Sequence, residues 1–353
     1  MSKAAICVVV PVYKAMATLD RCVESVLAQQ VEGGLTCILV DDGSPDESGA
    51  LCDAWAAKDD RVTVIHQDDL GVSGARNSGL AAADSEFIVF LDSDDALRPG
   101  ALQAALTAQR AAPQDFVVWH YTTDEKEPAV VTADAEPRTQ AGLARLWLDC
   151  LLAMPWNKLY RADLAKQLQF DVQYTLGEDL QFVLDYIALL GQTVPEFGYR
   201  VMTSPLTFYD CSRGGTLSTR YHANYCDIWP KHFAKLNAAC HAAACPAEDM
   251  RPLHRAELQV FAEGVADIMR RDPSPTQRLK GYKAEAALRS PWLRALLERM
   301  KIEHCYSAYY LPCRWRNVGL VCRVDEARRA NAPLYGKLDW AGYYLLLGRM
   351  RRD

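Results

Sequence analysis

Several features that mark other protein classes are missing from this chain. No run approaches the ~20 apolar residues that a membrane-spanning helix needs. The nearest, residues 340–347, is less than half as long. Among the 12 cysteines there is no Cys-x-x-Cys and no compact repeated spacing, which argues against a zinc site or a disulfide framework and for a reducing cytosol. Cys7, Cys22 and Cys37 fall in expected strands or on a helix face, where a free thiol behaves as a small hydrophobe. Positive charge is not in excess: the formal net charge of −6 argues against a general nucleic-acid binder. No internal repeat occurs. The first residues carry only Lys3 ahead of the apolar stretch 4–12, and the pattern that follows Ala15-Met16-Ala17 continues unbroken. A cleaved signal peptide is therefore not expected.

What is present is ordinary globular composition, 50% apolar and 24% charged over 353 residues, enough for roughly two domains. The first part alternates apolar runs with amphipathic segments. Strands are expected at 6–10, 36–40, 62–66 and 87–91, and helices at 18–30, 47–58, 71–83 (with Ser73 as N-cap) and 99–110. Strands separated by helices of this length imply βαβ units and a parallel sheet. Beyond residues 116–121 the pattern loosens. Residues 124–138 read as a polar surface excursion and 143–152 as a helix. Residues 156–160 read as a short strand or turn, 178–190 as a helix and 206–209 as a strand. From about residue 221 the chain reads as helix, broken at Pro246, Pro273, Pro275 and Pro291.

The apolar run 87–91 leads straight into Asp92-Ser93-Asp94-Asp95. In a parallel α/β sheet, ligands sit beyond the carboxyl ends of the strands. Carboxylates this close repel unless a cation lies between them, and Mg²⁺ or Mn²⁺, carrying phosphates, is the natural occupant. An acidic turn before a helix is the plain alternative. A second acidic strand end, Asp41-Asp42, would lie along the same sheet edge. A carboxylate is acceptor-only, so Asp42 can read the ring N–H that uracil, thymine and guanine have and cytosine lacks. Gly71-Val72-Ser73-Gly74-Ala75-Arg76-Asn77 offers backbone N–H groups and a guanidinium for an anion.

Taken in order, Pro11-Val12-Tyr13, Val40-Asp41-Asp42-Gly43-Ser44, residues 71–79, Phe90-Leu91-Asp92-Ser93-Asp94-Asp95, Trp156-Asn157-Lys158-Leu159-Tyr160 and Gly177-Glu178-Asp179 resemble glycosyltransferase family 2. The resemblance covers about residues 4–220. It implies a GT-A (Rossmann-like) nucleotide-sugar-binding domain with a mostly parallel central sheet at 1–220, followed by an α-helical region at 221–353. It also implies a metal-dependent, inverting transfer of one sugar from a nucleotide sugar, expected to be a UDP-sugar. The acceptor would be a glycan or polyprenyl-diphosphate-linked sugar in bacterial surface-polysaccharide synthesis. By resemblance, Pro11, Val12 and Tyr13 line the nucleobase pocket and Asp42 accepts the base N–H. Arg76 and Asn77 lie near the ribose–diphosphate, and Asp92 with Ser93 lies near the ribose or the metal's water shell. Asp94 ligates Mn²⁺ or Mg²⁺, and Asp179 is the catalytic base. Trp156, Asn157, Lys158, Glu178 and Arg213 are acceptor-side or diphosphate candidates, with Gly214-Gly215 as a hinge. For several of these a plain role stays open: packing for Trp156, support of a loop for Asn157 and Lys158, and dipole chemistry at a helix start for Glu178 and Asp179.

Processive members of that family carry Gln-x-x-Arg-Trp and membrane helices. Here Arg314-Trp315 is preceded at the Gln position by Leu311, so single-sugar transfer is expected. The last stretch, 292–353, interleaves basic and aromatic residues. That suits an ordinary helical domain with solvated Arg, or a membrane surface or anionic lipid-linked acceptor. The expected location is cytoplasmic, with peripheral attachment at the inner face of the cell membrane as the alternative. Three other readings compete: a dTDP- or GDP-sugar donor, an inactive nucleotide-sugar-binding scaffold, and a Mg²⁺-dependent phosphohydrolase built on the Asp92 cluster.

Overall fold

The computed structural model describes residues 3–128, 130–174, 176–212, 220–332, 335–337 and 339. Arg213, Gly214, Gly215 and the segment 340–353 lie outside the described residues. The chain divides into two compact units, 1–214 and 215–353.

The first unit opens with β1 (Ala4–Val12), α1 (Leu19–Leu27), β2 (Leu35–Asp42), α2 (Ser48–Lys58), β3 (Val62–Gln67), α3 (Gly71–Ala82) and β4 (Ser85–Phe90). It continues through β5 (Ala96–Leu97), α4 (Ala101–Ala111), β6 (Phe116–Thr122), β7 (Ala135–Thr139), α5 (Leu143–Leu148), β8 (Lys158–Arg161), α6 (Ala162–Ala165), α7 (Glu178–Thr193) and β9 (Gly198–Phe208). One sheet runs β3-β2-β1-β4-β8-β6-β9-β5, with β7 added beside β9. The β3-β2-β1-β4 half is parallel, as the βαβ alternation requires.

The second half departs from the expected parallel sheet. β8 is antiparallel to both β4 and β6, β6 and β9 are parallel, and β5 and β7 are antiparallel to β9. The sheet is therefore mixed. β7 lies inside the stretch expected to be a surface excursion. Its exposed, Pro-containing sequence Ala-Glu-Pro-Arg-Thr suits a sheet edge, and it carries no apolar signal. β9 is much longer than expected because Pro205 sits at a register shift opposite His120 and interrupts its pattern. α5 ends at Leu148, earlier than expected. α3 begins at Gly71 with no side-chain cap, and Ser73 is buried inside it rather than capping it.

The core packs on both faces of the strands that lead to the acidic ends. β1 is buried along nearly its whole length, and its Val8, Val10 and Val12 pack with Leu39, Val89 and Leu91. On the other face Phe170 stacks on Phe182 at 3.9 Å, Phe90 meets both edge-on, and Tyr160 packs edge-on to Phe182. Such aromatic pairs fix orientation as well as burying area.

The second unit is helical: α8 (Tyr225–Ala242), α9 (Ala247–Arg271), α10 (Gln277–Leu288), α11 (Pro291–Ile302), α12 (Tyr310–Arg314) and α13 (Val318–Arg329). Pro246 and Pro291 stand at helix starts, and Pro273 and Pro275 lie in the α9–α10 connection, as their chemistry predicts. α9 supplies the centre of the core through Leu258, Phe261, Ala262 and Val265. Tyr306, Tyr309 and Tyr310 are buried in that core, whereas Trp315 is exposed. Among the described residues no helix is long and apolar enough to cross a membrane.

Candidate active site

The acidic ends of β2 and β4 lie on one sheet edge, because both strands pair in parallel with β1. β2 delivers Asp41 and Asp42, both buried. Asp42 Oδ1 accepts from Gln67 Nε2 at 2.7 Å and from the Leu70 amide at 3.0 Å, which orients the carboxylate. Gly43 permits this turn. It has φ +66°, and a Cβ there would meet the Asp69 amide nitrogen at 2.9 Å. Asp41 accepts from the Ser44 amide and faces His66 Nδ1 at 3.0 Å, while His66 Nε2 faces Asp53 at 2.9 Å. The two carboxylates, Asp53 foremost, hold the His66 pKa above its ordinary value. Pro11 and Val12 are buried at the end of β1 and Tyr13 is exposed.

The centre of the site is Arg76, only 3% exposed. It projects from α3 with its guanidinium over the Phe170 ring at 5.4 Å. Nη2 donates to Asp92 Oδ1 at 2.8 Å, and Nη1 donates to Asp179 Oδ1 at 2.5 Å. Glu178 Oε1 lies 3.9 Å from Nη1. One cation thus ties the end of β4 to the start of α7. Gly177, at φ +78°, caps α7 and turns Glu178 and Asp179 into its first turn. Burial raises the Asp179 pKa above the ordinary carboxylate value, and the nearby Glu178 and Asp92 charges add to this, while the Arg76 guanidinium opposes it. The Asp179 side chain keeps 28% of its surface accessible, so a substrate can still reach it.

Beyond Asp92 the chain turns tightly, with the Asp95 amide donating to the Asp92 carbonyl at 3.0 Å. Arg21 Nη2 donates to the Asp94 carbonyl at 2.6 Å and to Asp210 Oδ2 at 2.7 Å. Asp95 is fully buried. Its Oδ1 accepts from the Asp210 amide at 3.0 Å, and its Oδ2 has no partner among the described residues. Burial and the Asp92 charge push its pKa up. A buried carboxylate oxygen without a donor, in a turn of four acidic and hydroxyl side chains, is what a site for a hard divalent cation offers. The oxygen-only donor set fits Mg²⁺ or Mn²⁺.

Other residues singled out in the sequence sit differently. Asn77 commits both ends of its amide to the Phe170 backbone, each at 2.8 Å, so it pins the 170 loop. Lys158 is completely buried, and Nζ donates to the carbonyls of Leu151 and Met154 and to Asn157 Oδ1 at 2.5–2.7 Å. Asn157 Nδ2 donates to the carbonyls of Trp119 and Leu151. Both side chains brace the 151–157 loop. Trp156 is buried and stacks on Tyr209 at 5.3 Å. Ser93 is half-buried in the acidic turn. Arg21 and Asp210 went unremarked in the sequence. Neither belongs to a recognisable spacing, and 189 residues separate them.

Comparison with known proteins gives this geometry a context. Residues 7–169 match the family model described as glycosyl transferase family 2. The chain is 38% identical over 117 residues to the glycosyltransferase GlyG of Streptococcus pneumoniae, covering 33% of this chain and 38% of that protein. It is 30% identical over 187 residues to EpsJ of Bacillus subtilis, an uncharacterized glycosyltransferase, covering 50% and 54%. It is 33% identical over 215 residues to the succinoglycan biosynthesis protein ExoO of Rhizobium meliloti, covering 54% and 58%. The chain spans about half the length of the curated relatives it matches. Among solved structures, TarS of S. aureus in complex with UDP-GlcNAc superposes with TM-score 0.61 at 17% identity, over 93% of this chain and 92% of that one. The mannosyltransferase PcManGT of Pyrobaculum calidifontis, in complex with GDP-Man and Mn²⁺, superposes with TM-score 0.50 at 17% identity, over 90% and 87%. The likeness to TarS shows a GT-A-like mixed α/β fold followed by helices.

Proposed function

We propose that this chain, whose residues 7–169 match the glycosyl transferase family 2 model, transfers one sugar from a nucleotide sugar to an acceptor hydroxyl with inversion, in bacterial surface-polysaccharide synthesis. The observation that carries the reading is the shared guanidinium of Arg76, which holds Asp92 on the donor strand and Asp179 on α7 at once.

The roles follow from position. Asp42, oriented by Gln67 and Leu70, accepts the N–H of the base. Asp94, with Asp92 and Asp95 beside it, would hold Mn²⁺ or Mg²⁺, which when bound neutralises charge on the leaving diphosphate. Asp179 accepts the proton of the attacking hydroxyl. General-base catalysis of this kind contributes about 10²–10⁴-fold, and a raised pKa brings the base closer to the operating pH. Arg76 positions Asp179 and keeps Asp92 in register with it. A UDP-sugar is the favoured donor, in line with the UDP-GlcNAc that TarS binds. A GDP-sugar is the alternative suggested by the GDP-Man in PcManGT, and Asp42 would also accept from thymine. Residues 221–353 take an acceptor-side or membrane-surface role, with the enzyme working in the cytoplasm at the inner face of the membrane. Failure to sediment with anionic liposomes at low salt removes the membrane part.

The test is a thermal-shift series of UDP, dTDP, GDP and CMP with and without Mn²⁺, on the wild type and Asp94→Asn. A ligand at ~100 times its Kd stabilises by about 2.7 kcal/mol. The expected result is a UDP shift that requires Mn²⁺ and is lost in Asp94→Asn. A shift with GDP or dTDP changes the donor class. No shift with any nucleotide contradicts the reading.

A further inference from the structure

The helical unit contains a buried polar cluster built by α8, α9, α11 and the turn that follows α11. His254, on α9, is 1% exposed. Its Nδ1 lies 2.6 Å from Glu303 Oε2, and its Nε2 lies 3.1 Å from Asn237 Oδ1. Two acceptors fix the Asn237 amide: Nδ2 donates to the Phe233 carbonyl at 2.8 Å and to Glu257 Oε1 at 2.6 Å. Asn237 therefore presents its oxygen to His254, and Nε2 is the ring nitrogen that carries hydrogen. Arg299 Nη1 also approaches Nε2, at the longer distance of 3.3 Å. As a pure donor it gains nothing from a protonated nitrogen.

That assignment leaves the Nδ1 lone pair of the neutral ring facing a carboxylate oxygen. Two acceptors at 2.6 Å require something positive between or beside them. A third ligand type stands at the same oxygen, since Cys305 Sγ lies 3.6 Å from Glu303 Oε2. The ligand atoms of His254, Glu303 and Cys305 all fall within 4.8 Å of one another. The backbone arranges this convergence. His304, between the two later residues, has φ +54°, and the Cys305 amide closes α11 by donating to the Met300 carbonyl at 3.0 Å.

We propose that His254 Nδ1, Glu303 and Cys305 hold a zinc ion in the helical unit, with water or the second Glu303 oxygen in the fourth position. Imidazole, thiolate and carboxylate are the ligand types zinc takes, at ~2.0–2.3 Å. Two such ligands in tetrahedral geometry stand ~3.4 Å apart. The His254–Glu303 pair must therefore open by roughly 0.8 Å, a movement open to the Glu303 side chain, which is 29% exposed. The Cys305 thiol releases its proton on binding. Asn237 then plays the part of the outer hydrogen-bond partner that metal-bound histidines need on their other nitrogen. The ion would clamp α9 to the turn after α11. The sequence hides this site because its ligands do not follow a Cys-x-x-Cys spacing, and 49 residues separate His254 from Glu303.

The test uses the full chain in the Asp94→Asn background, stripped with chelator and titrated with Co²⁺ and then Zn²⁺. Thiolate-bound Co²⁺ has a charge-transfer absorption in the near ultraviolet that oxygen-bound Co²⁺ lacks, so metal at the acidic turn does not interfere. The expected result is that absorption at about one equivalent per chain, displaced by Zn²⁺ with a rise in Tm. Cys305→Ser should abolish the absorption and the rise in Tm, and His254→Gln should weaken binding at least tenfold, both with wild-type circular dichroism. If the Asp94→Asn chain with all three ligands intact shows no thiolate absorption, or folded Cys305→Ser in that background keeps it, the proposal fails and a shared proton alone bridges His254 and Glu303.

Discussion

Arg76 Nη1 lies 2.5 Å from Asp179 Oδ1 although 103 residues separate them, and the same guanidinium reaches Asp92 at 2.8 Å. The cation sits over Phe170 and away from water, so its fork is the fixed point from which both carboxylates are aimed. Together with the packing of Phe90 on Phe182, this one residue fixes how the end of β4 faces the start of α7, and substitutions there should act on geometry before charge.

Arg76→Lys keeps the charge but loses the fork. A single ammonium cannot hold both carboxylates in place, and misplacement of a reacting group by about 1 Å costs on the order of 10²-fold. The expected outcome is a fall in kcat of that size with little change in donor Kd. Arg76→Ala leaves the carboxylates without their cation and should cost about 3 kcal/mol in urea unfolding, the low end for breaking a buried pair because the acids keep some solvent. Wild-type kcat in Arg76→Lys would show that Arg76 is not a positioning residue.

The Asp179 shift has a definite sign. In the proposed role of base Asp179 works only when ionised, and burial raises its folded pKa. Turnover should therefore rise with pH along an acid limb lying above the ordinary carboxylate value of about 4. A pH profile of kcat/KM that is already flat from about pH 5 upward would contradict this.

His66 makes a stability prediction. Asp53 and Asp41 raise its folded pKa, so its stabilising contribution is full below the unfolded value of about 6.5 and is lost as pH rises through the folded value. In melts across that range, the wild type should exceed His66→Gln in Tm at low pH, and the gap should close on the alkaline side. A gap that widens with pH would reverse the assignment.

Lys158 should behave as a structural residue. Its ammonium satisfies two backbone carbonyls and Asn157, and burial drives its pKa down. Lys158→Met leaves buried acceptors unmet at about 1–3 kcal/mol each, so Tm should drop while the donor Kd of the folded variant holds. A raised Kd at unchanged Tm would place Lys158 at the substrate instead.

The legible parts of this chain share a physical reason. β1, β2 and β4 are apolar runs, of which β2 ends in Asp41-Asp42 and β4 leads into Asp92, and Gly43 and Gly177 mark turns at positive φ. Each signal is local, so the strand ends and their acids could be read in order. What could not be read depends on distant partners. Arg76 appears in the sequence as an anion-binding side chain near a diphosphate, but its fate is decided by Asp92 and Asp179. Asn77 and Lys158 look like substrate contacts until the Phe170, Leu151 and Met154 backbones surround them. The mixed half of the sheet was hidden because β7 has no apolar face and Pro205 breaks the pattern of β9. Arg21 and Asp210, which brace the acidic turn, carry no motif.

The most direct measurement is release of nucleoside diphosphate from the donor identified by thermal shift, with a lipid-linked glycan extract as acceptor, compared between wild type and Asp179→Asn. The account predicts acceptor-dependent release by the wild type. It predicts a loss of about 10²–10⁴-fold in Asp179→Asn, with the nucleotide-induced rise in Tm preserved. Equal turnover by the two proteins, or nucleotide binding without any turnover in the wild type, would contradict it, the second outcome leaving a nucleotide-sugar-binding scaffold.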